Sequence, residues 1–245
     1  MYACGEEEEL NFTDEMQTAY HEFFEKLGVD EKTGVVKDSM IKFATYPFIG
    51  SRYGQLNRIL FIGMDVGSDE HDGITSLNQR RKDIEYRNIT QYNPHISGTY
   101  LVATYHQREF EQYRLIADLI DNSAETSKAF INNNFHKLNQ IINPLAYCSL
   151  TNYYKFVTVN RANKAGNLDR KHINWKYEDE LLLREIEILS PDIILFQSLS
   201  FMKKKDFIDR IDRKVKKVIM YHPSAREKGR RICINMIKES SSVQL

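Results

Sequence analysis

Apolar positions along the chain follow two patterns. Over residues 12–27, Phe12, Met16, Ala19, Tyr20, Phe23, Phe24 and Leu27 recur close to the i, i+3, i+4, i+7 spacing of an amphipathic helix. Similar spacing predicts helices over Phe110–Asn122, Ser127–Ile142 and Tyr177–Leu189, the last stopping before Pro191, and a short one over Asp38–Ala44. Four other segments are near-continuous apolar runs: Arg58–Gly63, Leu145–Thr151, Asp192–Phe196 and Lys217–Tyr221. Such runs suit parallel strands covered on both faces. Strands alternating with helices imply right-handed crossovers. The expected fold is therefore α/β: a three-layer α/β/α sandwich around a four-stranded parallel sheet. No repeat or Pro/Gly linker divides the chain, so residues 1–245 are expected to form one domain, with residues 1–45 as an N-terminal helical extension.

Composition supports a packed core. Apolar residues make up 42% of the 245 and aromatic residues 11%, and a chain of this size buries roughly 70% of its unfolded surface. Cys4, Cys148 and Cys233 are far apart, with neither a Cys-x-x-Cys pair nor zinc-type spacing, so three free thiols in a reducing cytoplasm are expected. The opening Met-Tyr-Ala-Cys-Gly, followed by Glu6 to Glu9, has no basic start or apolar run of the secretory kind. No apolar run approaches the roughly 20 residues that span a bilayer. A cytoplasmic protein without membrane association is expected.

The net charge is zero, but its distribution is uneven. Residues 1–31 carry ten acids against one lysine, whereas residues 203–231 carry twelve Lys/Arg against four acids. A basic end of this kind suits a polyanion, although a solvated charged surface gives the same count.

In parallel sheets, ligands sit beyond the C-terminal strand ends, so the polar residues there carry the information. The first strand runs into Gly63-Met64-Asp65-Val66-Gly67, a glycine-bounded turn that lets a ligand approach the backbone and holds Asp65 at the rim. After the second comes Thr151-Asn152-Tyr153-Tyr154-Lys155; the Asn152 amide offers a donor and an acceptor, as base reading or a loop cap would need. The fourth leads to His222-Pro223-Ser224-Ala225-Arg226, where backbone N–H groups and a hydroxyl suit a phosphate.

Together these three segments resemble the uracil-DNA glycosylase superfamily. Gly63 to Gly67 is similar to its first motif, and His222 to Arg226 to its His-Pro-Ser motif and wedge position. Thr151-Asn152-x-x-Lys155, with Asn160-Arg161, looks like the middle strand of its iron–sulfur-bearing branch, and Glu180 to Phe196 is similar to that branch's following helix and strand. The resemblance covers residues 56–232. The branch's four cluster cysteines are missing, so no iron–sulfur cluster or other cofactor is expected. Val66 replaces the motif proline. Gly67 stands where uracil-specific members have a tyrosine that excludes a 5-methyl group, which implies a pocket open to larger bases.

The resemblance implies a monomeric, monofunctional DNA glycosylase that flips a uracil or modified pyrimidine and leaves an abasic site, in base-excision repair or in defence against modified phage DNA. Asp65 and His222 would be catalytic, Asp65 stabilising the sugar cation and His222 donating to the departing base. Gly63, Met64, Val66, Gly67 and Asn152 would bind the base, with Tyr92 or Tyr100 as its stacking ring. Ser224, Arg226, Lys155 and Lys228 would contact DNA. Competing readings are a nucleotide- or S-adenosylmethionine-dependent transferase and a DNA-binding homologue without catalysis. The transferase reading is disfavoured by the absence of a Gly-x-Gly-x-x-Gly loop.

Overall fold

The computed structural model describes residues 12–64, 76–85, 94–158 and 175–223. The helices are α1 (Phe12–Leu27), α2 (Leu77–Glu85), α3 (Pro94–His106), α4 (Glu111–Asp121), α5 (Ser127–Ile141), α6 (Trp175–Leu189) and α7 (Lys205–Asp209). The strands are β1 (Ile41–Phe43), β2 (Phe48–Ile49), β3 (Ile59–Gly63), β4 (Cys148–Asn152), β5 (Phe156–Thr158), β6 (Ile193–Phe196) and β7 (Lys216–Ile219).

The main sheet is mixed and five-stranded, in the order β2-β4-β3-β6-β7. Neighbours among β4, β3, β6 and β7 pair in parallel, while β2 joins the edge antiparallel to β4. The expected four strands are therefore joined by a fifth. Two residues between Pro47 and Gly50 are too short to show a period, and Ser149 Oγ donates to the Phe48 carbonyl at 2.6 Å to hold them. A separate pair, β1 with β5, runs antiparallel.

Alternation along the strands divides the interior. Leu60, Ile62, Ile194 and Phe196 pack with residues of α1 and α6, including Met16, Phe24, Leu182 and Leu189. Ile59, Phe61, Ile193 and Leu195 face the other way, toward Tyr100, Ile116, Ile131 and Phe135 of α3, α4 and α5. Period-two side chains on strands covered from both sides produce this division. The region expected as an N-terminal extension enters the interior through α1, which buries Phe12, Met16, Ala19, Tyr20, Phe23 and Phe24. Gly28, at φ +64°, ends that helix in the left-handed conformation.

Two expectations are corrected, and helix α3 has no counterpart among those expected. The helix expected over Asp38–Ala44 is a turn followed by β1: Ser39 Oγ donates to the Val36 carbonyl and accepts from Ile41 N, competing with helical bonding. The run from Leu145 begins as a 3-10 turn, Pro144–Tyr147, because the Asn143 side chain accepts from Leu145 N; the strand starts only at Cys148. Helix α3 carries no amphipathic signal because Ile96 to Gln107 are all buried. Among the described residues no helix is long and apolar enough to cross a membrane.

His106, at the end of α3, is 5% exposed, and its Nε2 has no hydrogen-bond partner among the described residues. Burial, reinforced by Lys216, pushes its pKa down to about 4. The unfolded chain protonates this imidazole near pH 6.5, so stability is lost as pH falls from 6.5 toward 4, by an amount on the order of 3 kcal/mol. Urea midpoints should therefore drop steeply between pH 7 and 4.5, and His106→Leu should flatten that dependence. Parallel curves for the two proteins would refute the assignment.

Candidate active site at the strand ends

Parallel register brings the ends of β3 and β4 level, with Gly63 opposite Asn152. A side chain at Gly63 would collide with Asn152 Oδ1, so glycine is what allows the amide to lie across the end of β3. The next residues stay coupled: Tyr153 N donates to the Gly63 carbonyl at 2.8 Å and Tyr154 N to the Met64 carbonyl at 3.1 Å. Met64 is half-buried against the interior, and Asn152 is half-buried at its strand end.

On the other side of β3, Gln197 follows β6 directly. Its N–H donates to the Ile62 carbonyl at 2.9 Å, and its side chain is completely buried. Gln197 Oε1 lies 3.2 Å from His95 Nε2, while Nε2 of the same amide donates to Thr99 Oγ1 at 3.2 Å. His95 sits in the first turn of α3 and stacks on His222, with ring centroids 5.3 Å apart and planes 30° apart. His222 follows β7 by three residues. Close packing sets this arrangement: a Cβ on Gly98 of α3 would lie 2.7 Å from Pro223 Cβ and 2.8 Å from its carbonyl oxygen.

Among the described residues, the charged groups that act on the two rings are positive. Burial pushes the His95 pKa down to about 4, with His222, Lys128 and Arg80 adding to the effect and the bond to Gln197 opposing it. His222 keeps an exposed edge, yet partial desolvation lowers its pKa, and Lys128 lowers it further. Lys128 is 2% exposed on α5. Both rings are therefore neutral at pH 7, and a neutral imidazole has one N–H to donate.

The structure thus gathers Gly63, Met64, Asn152 and His222 at one sheet edge. Asp65, Val66, Gly67, Tyr92, Ser224, Arg226 and Lys228 lie outside the described residues, as do Asn160 and Arg161. Two assignments are corrected. Tyr100 is fully buried in the interior beside Phe135, so its ring is not presented to a ligand. Lys155 is not a surface cation: its Nζ donates to both oxygens of the buried Glu185, at 2.7 and 2.8 Å, and to Thr151 Oγ1.

The basic run also divides. Lys204 Nζ lies 4.5 Å from the Tyr153 ring centroid and 5.3 Å from that of Tyr154, which puts Lys204 beside the residues that follow Asn152. Lys216 N instead donates to the Asp192 carbonyl at 3.0 Å, at the opposite end of β6. Within the described part of the run, Lys204 thus lies by the strand ends and Lys216 at the other end of the sheet, while the basic residues from Arg226 onward lie outside the described residues.

Sequence reasoning does not single out His95 or Gln197. Gln197 stands immediately after a buried apolar strand, so the rule that finds Asn152 and His222 could have found it. His95 lies in a helix with no amphipathic signature, and only packing brings it to this edge. Among the described residues no group of three or more His, Cys, Asp or Glu side chains converges as metal ligands would. Comparison with protein-family models and with curated proteins returns no match.

Proposed function

We propose that this chain is a monofunctional DNA glycosylase that hydrolyses the N-glycosidic bond of a flipped uracil or modified pyrimidine and leaves an abasic site. The observation that carries the reading is the placement, along one C-terminal sheet edge, of a donor–acceptor amide on Asn152, a glycine-cleared strand end at Gly63 and the His222 imidazole beyond β7. Helices on both faces of the sheet support the three-layer glycosylase architecture.

Each group has a chemical role in that reaction. Breaking the bond builds positive charge on the sugar and negative charge on the departing base. The Asn152 amide pairs with the base edge and selects it. His222 donates a hydrogen bond to the leaving base, and one preorganised donor of this type is worth roughly 3–4 kcal/mol. Asp65, bonded directly to Met64, supplies the carboxylate that stabilises the sugar cation and orients water. With Tyr100 buried, the aromatic surface that the described residues offer beside His222 is the His95 imidazole. Flipping costs a few kcal/mol, offset by phosphate contacts along the basic rim.

The test is mass analysis of bases released from duplex and single-stranded DNA carrying uracil or 5-substituted pyrimidines. Release of a free base with an abasic product supports the proposal. Salt-sensitive DNA binding with no base released from any substrate would leave a binding module instead.

The division of the basic run gives a separate expectation. Replacing Lys203, Lys204 and Lys205 by alanine should weaken DNA binding and reduce the salt slope by about one for each phosphate that is no longer neutralised. Lys216→Ala with Lys217→Ala should leave both unchanged. Titrations at several salt concentrations read the difference, and equal effects of the two variants would remove the edge-specific interface.

A further inference from the structure

We propose that Gln197 is a positioning residue of this edge: its side-chain oxygen dictates which nitrogen of His95 carries hydrogen, and so fixes the His95 ring against His222. For its catalytic consequence the inference rests on the glycosylase reading; the geometry of the pair stands without it.

The polarity of an amide sets the arrangement. Gln197 is anchored by its backbone bond to Ile62 and is completely buried, so its side chain cannot turn freely. Its nitrogen faces Thr99 Oγ1 at 3.2 Å and its oxygen faces His95 Nε2 at 3.2 Å. A carbonyl oxygen only accepts, so His95 Nε2 must carry the hydrogen. Thr99 and His95 lie one helical turn apart on α3, and Gln197 clamps that turn to the end of β6.

That clamp reaches His222. The two rings stack at 5.3 Å, so sideways motion of His95 shifts the surface against which His222 rests. Among the described residues, charged and titratable groups that act on His95 include Arg80 from α2, Lys128 from α5 and His222 beyond β7; Lys128 also acts on His222. A proton on His95 would add a further positive charge to this set and press directly on His222. A neutral glutamine, unlike a glutamate, holds the ring without drawing a proton onto it. His95, with no bond to the reacting atoms assigned to it, acts through His222.

Long-range 1H–15N spectra of the imidazoles test this on the intact wild-type protein. The expected result at pH 7 is His95 as the neutral Nε2–H form. In Gln197→Glu, His95 should become the charged form near neutrality, the His222 resonances should move, and excision at pH 7 should fall at least about tenfold, with its acid limb shifted to higher pH. Gln197→Leu should leave His95 as a mixture of the two neutral forms. Wild-type His95 carrying its hydrogen on Nδ1, or His222 resonances unchanged in Gln197→Glu, overturns the proposal whatever the excision rates are. The expected spectra in a protein that releases no base from any substrate would sustain the pair and remove the glycosylase reading.

Discussion

Lys155→Met is expected to destabilise the protein by about 3–5 kcal/mol, because it strands a carboxylate in the interior. Glu185 is completely buried on α6 and its oxygens are fully engaged: Tyr20 Oη of α1, Thr151 Oγ1 of β4 at 2.8 Å and Lys155 Nζ all donate to it. Burial, followed by the Glu185 charge, raises the Tyr20 pKa well above its ordinary value, so the phenol remains a donor. The cluster therefore ties two helices to the strand that carries Asn152. Glu185→Leu should cost a similar amount by removing the carboxylate that accepts from the buried Lys155 ammonium through both its oxygens. Replacing both should cost clearly less than the sum of the singles, since no lone charge then remains. Urea unfolding of the three variants measures this, and a single-variant cost below about 1 kcal/mol would show that the pair is not the anchor described.

His222→Ala is expected to lower the rate of base release by roughly 10²–10³-fold, the worth of one preorganised donor to a developing anion. Its ring keeps an exposed edge, so the free energy of unfolding in urea should stay within about 0.5 kcal/mol of the wild type. Gly98→Ala should reach the same site from behind. The added methyl meets the backbone oxygen of Pro223, and the helix or the His-Pro segment must move. A shift near 1 Å at a positioned group can cost about 10²-fold. Single-turnover excision on the substrate identified by base release reads both variants. Full activity in His222→Ala would take the imidazole out of the mechanism.

How far the site could be read from sequence depended on where each residue sits relative to a strand. Gly63, Asn152 and His222 follow apolar runs closely, and chain direction alone puts them at one edge of a parallel sheet. Lys155 obeys the same rule and misleads: three residues beyond Asn152, its side chain turns inward to Glu185, thirty positions away in the chain. Nothing local marks that pairing, since a lysine destined for a buried ion pair and one destined for a phosphate look alike in sequence. Tyr100 misleads similarly, because a tyrosine on a helix buried all round carries no sign of which neighbours it will meet.

The sequence by itself determined the strands β3, β4, β6 and β7 and the helices α1, α4, α5 and α6, because burial on one or both faces writes a period into the apolar positions. It also determined that polar groups follow three of those strands. Only the tertiary structure decided that β2 would close one edge of the sheet, that α3 would lie where His95 meets His222 and Gln197, and that Lys155 would turn inward. These depend on contacts between segments distant in the chain, whose energies arise from packing and mutual desolvation and leave no periodic trace in either partner.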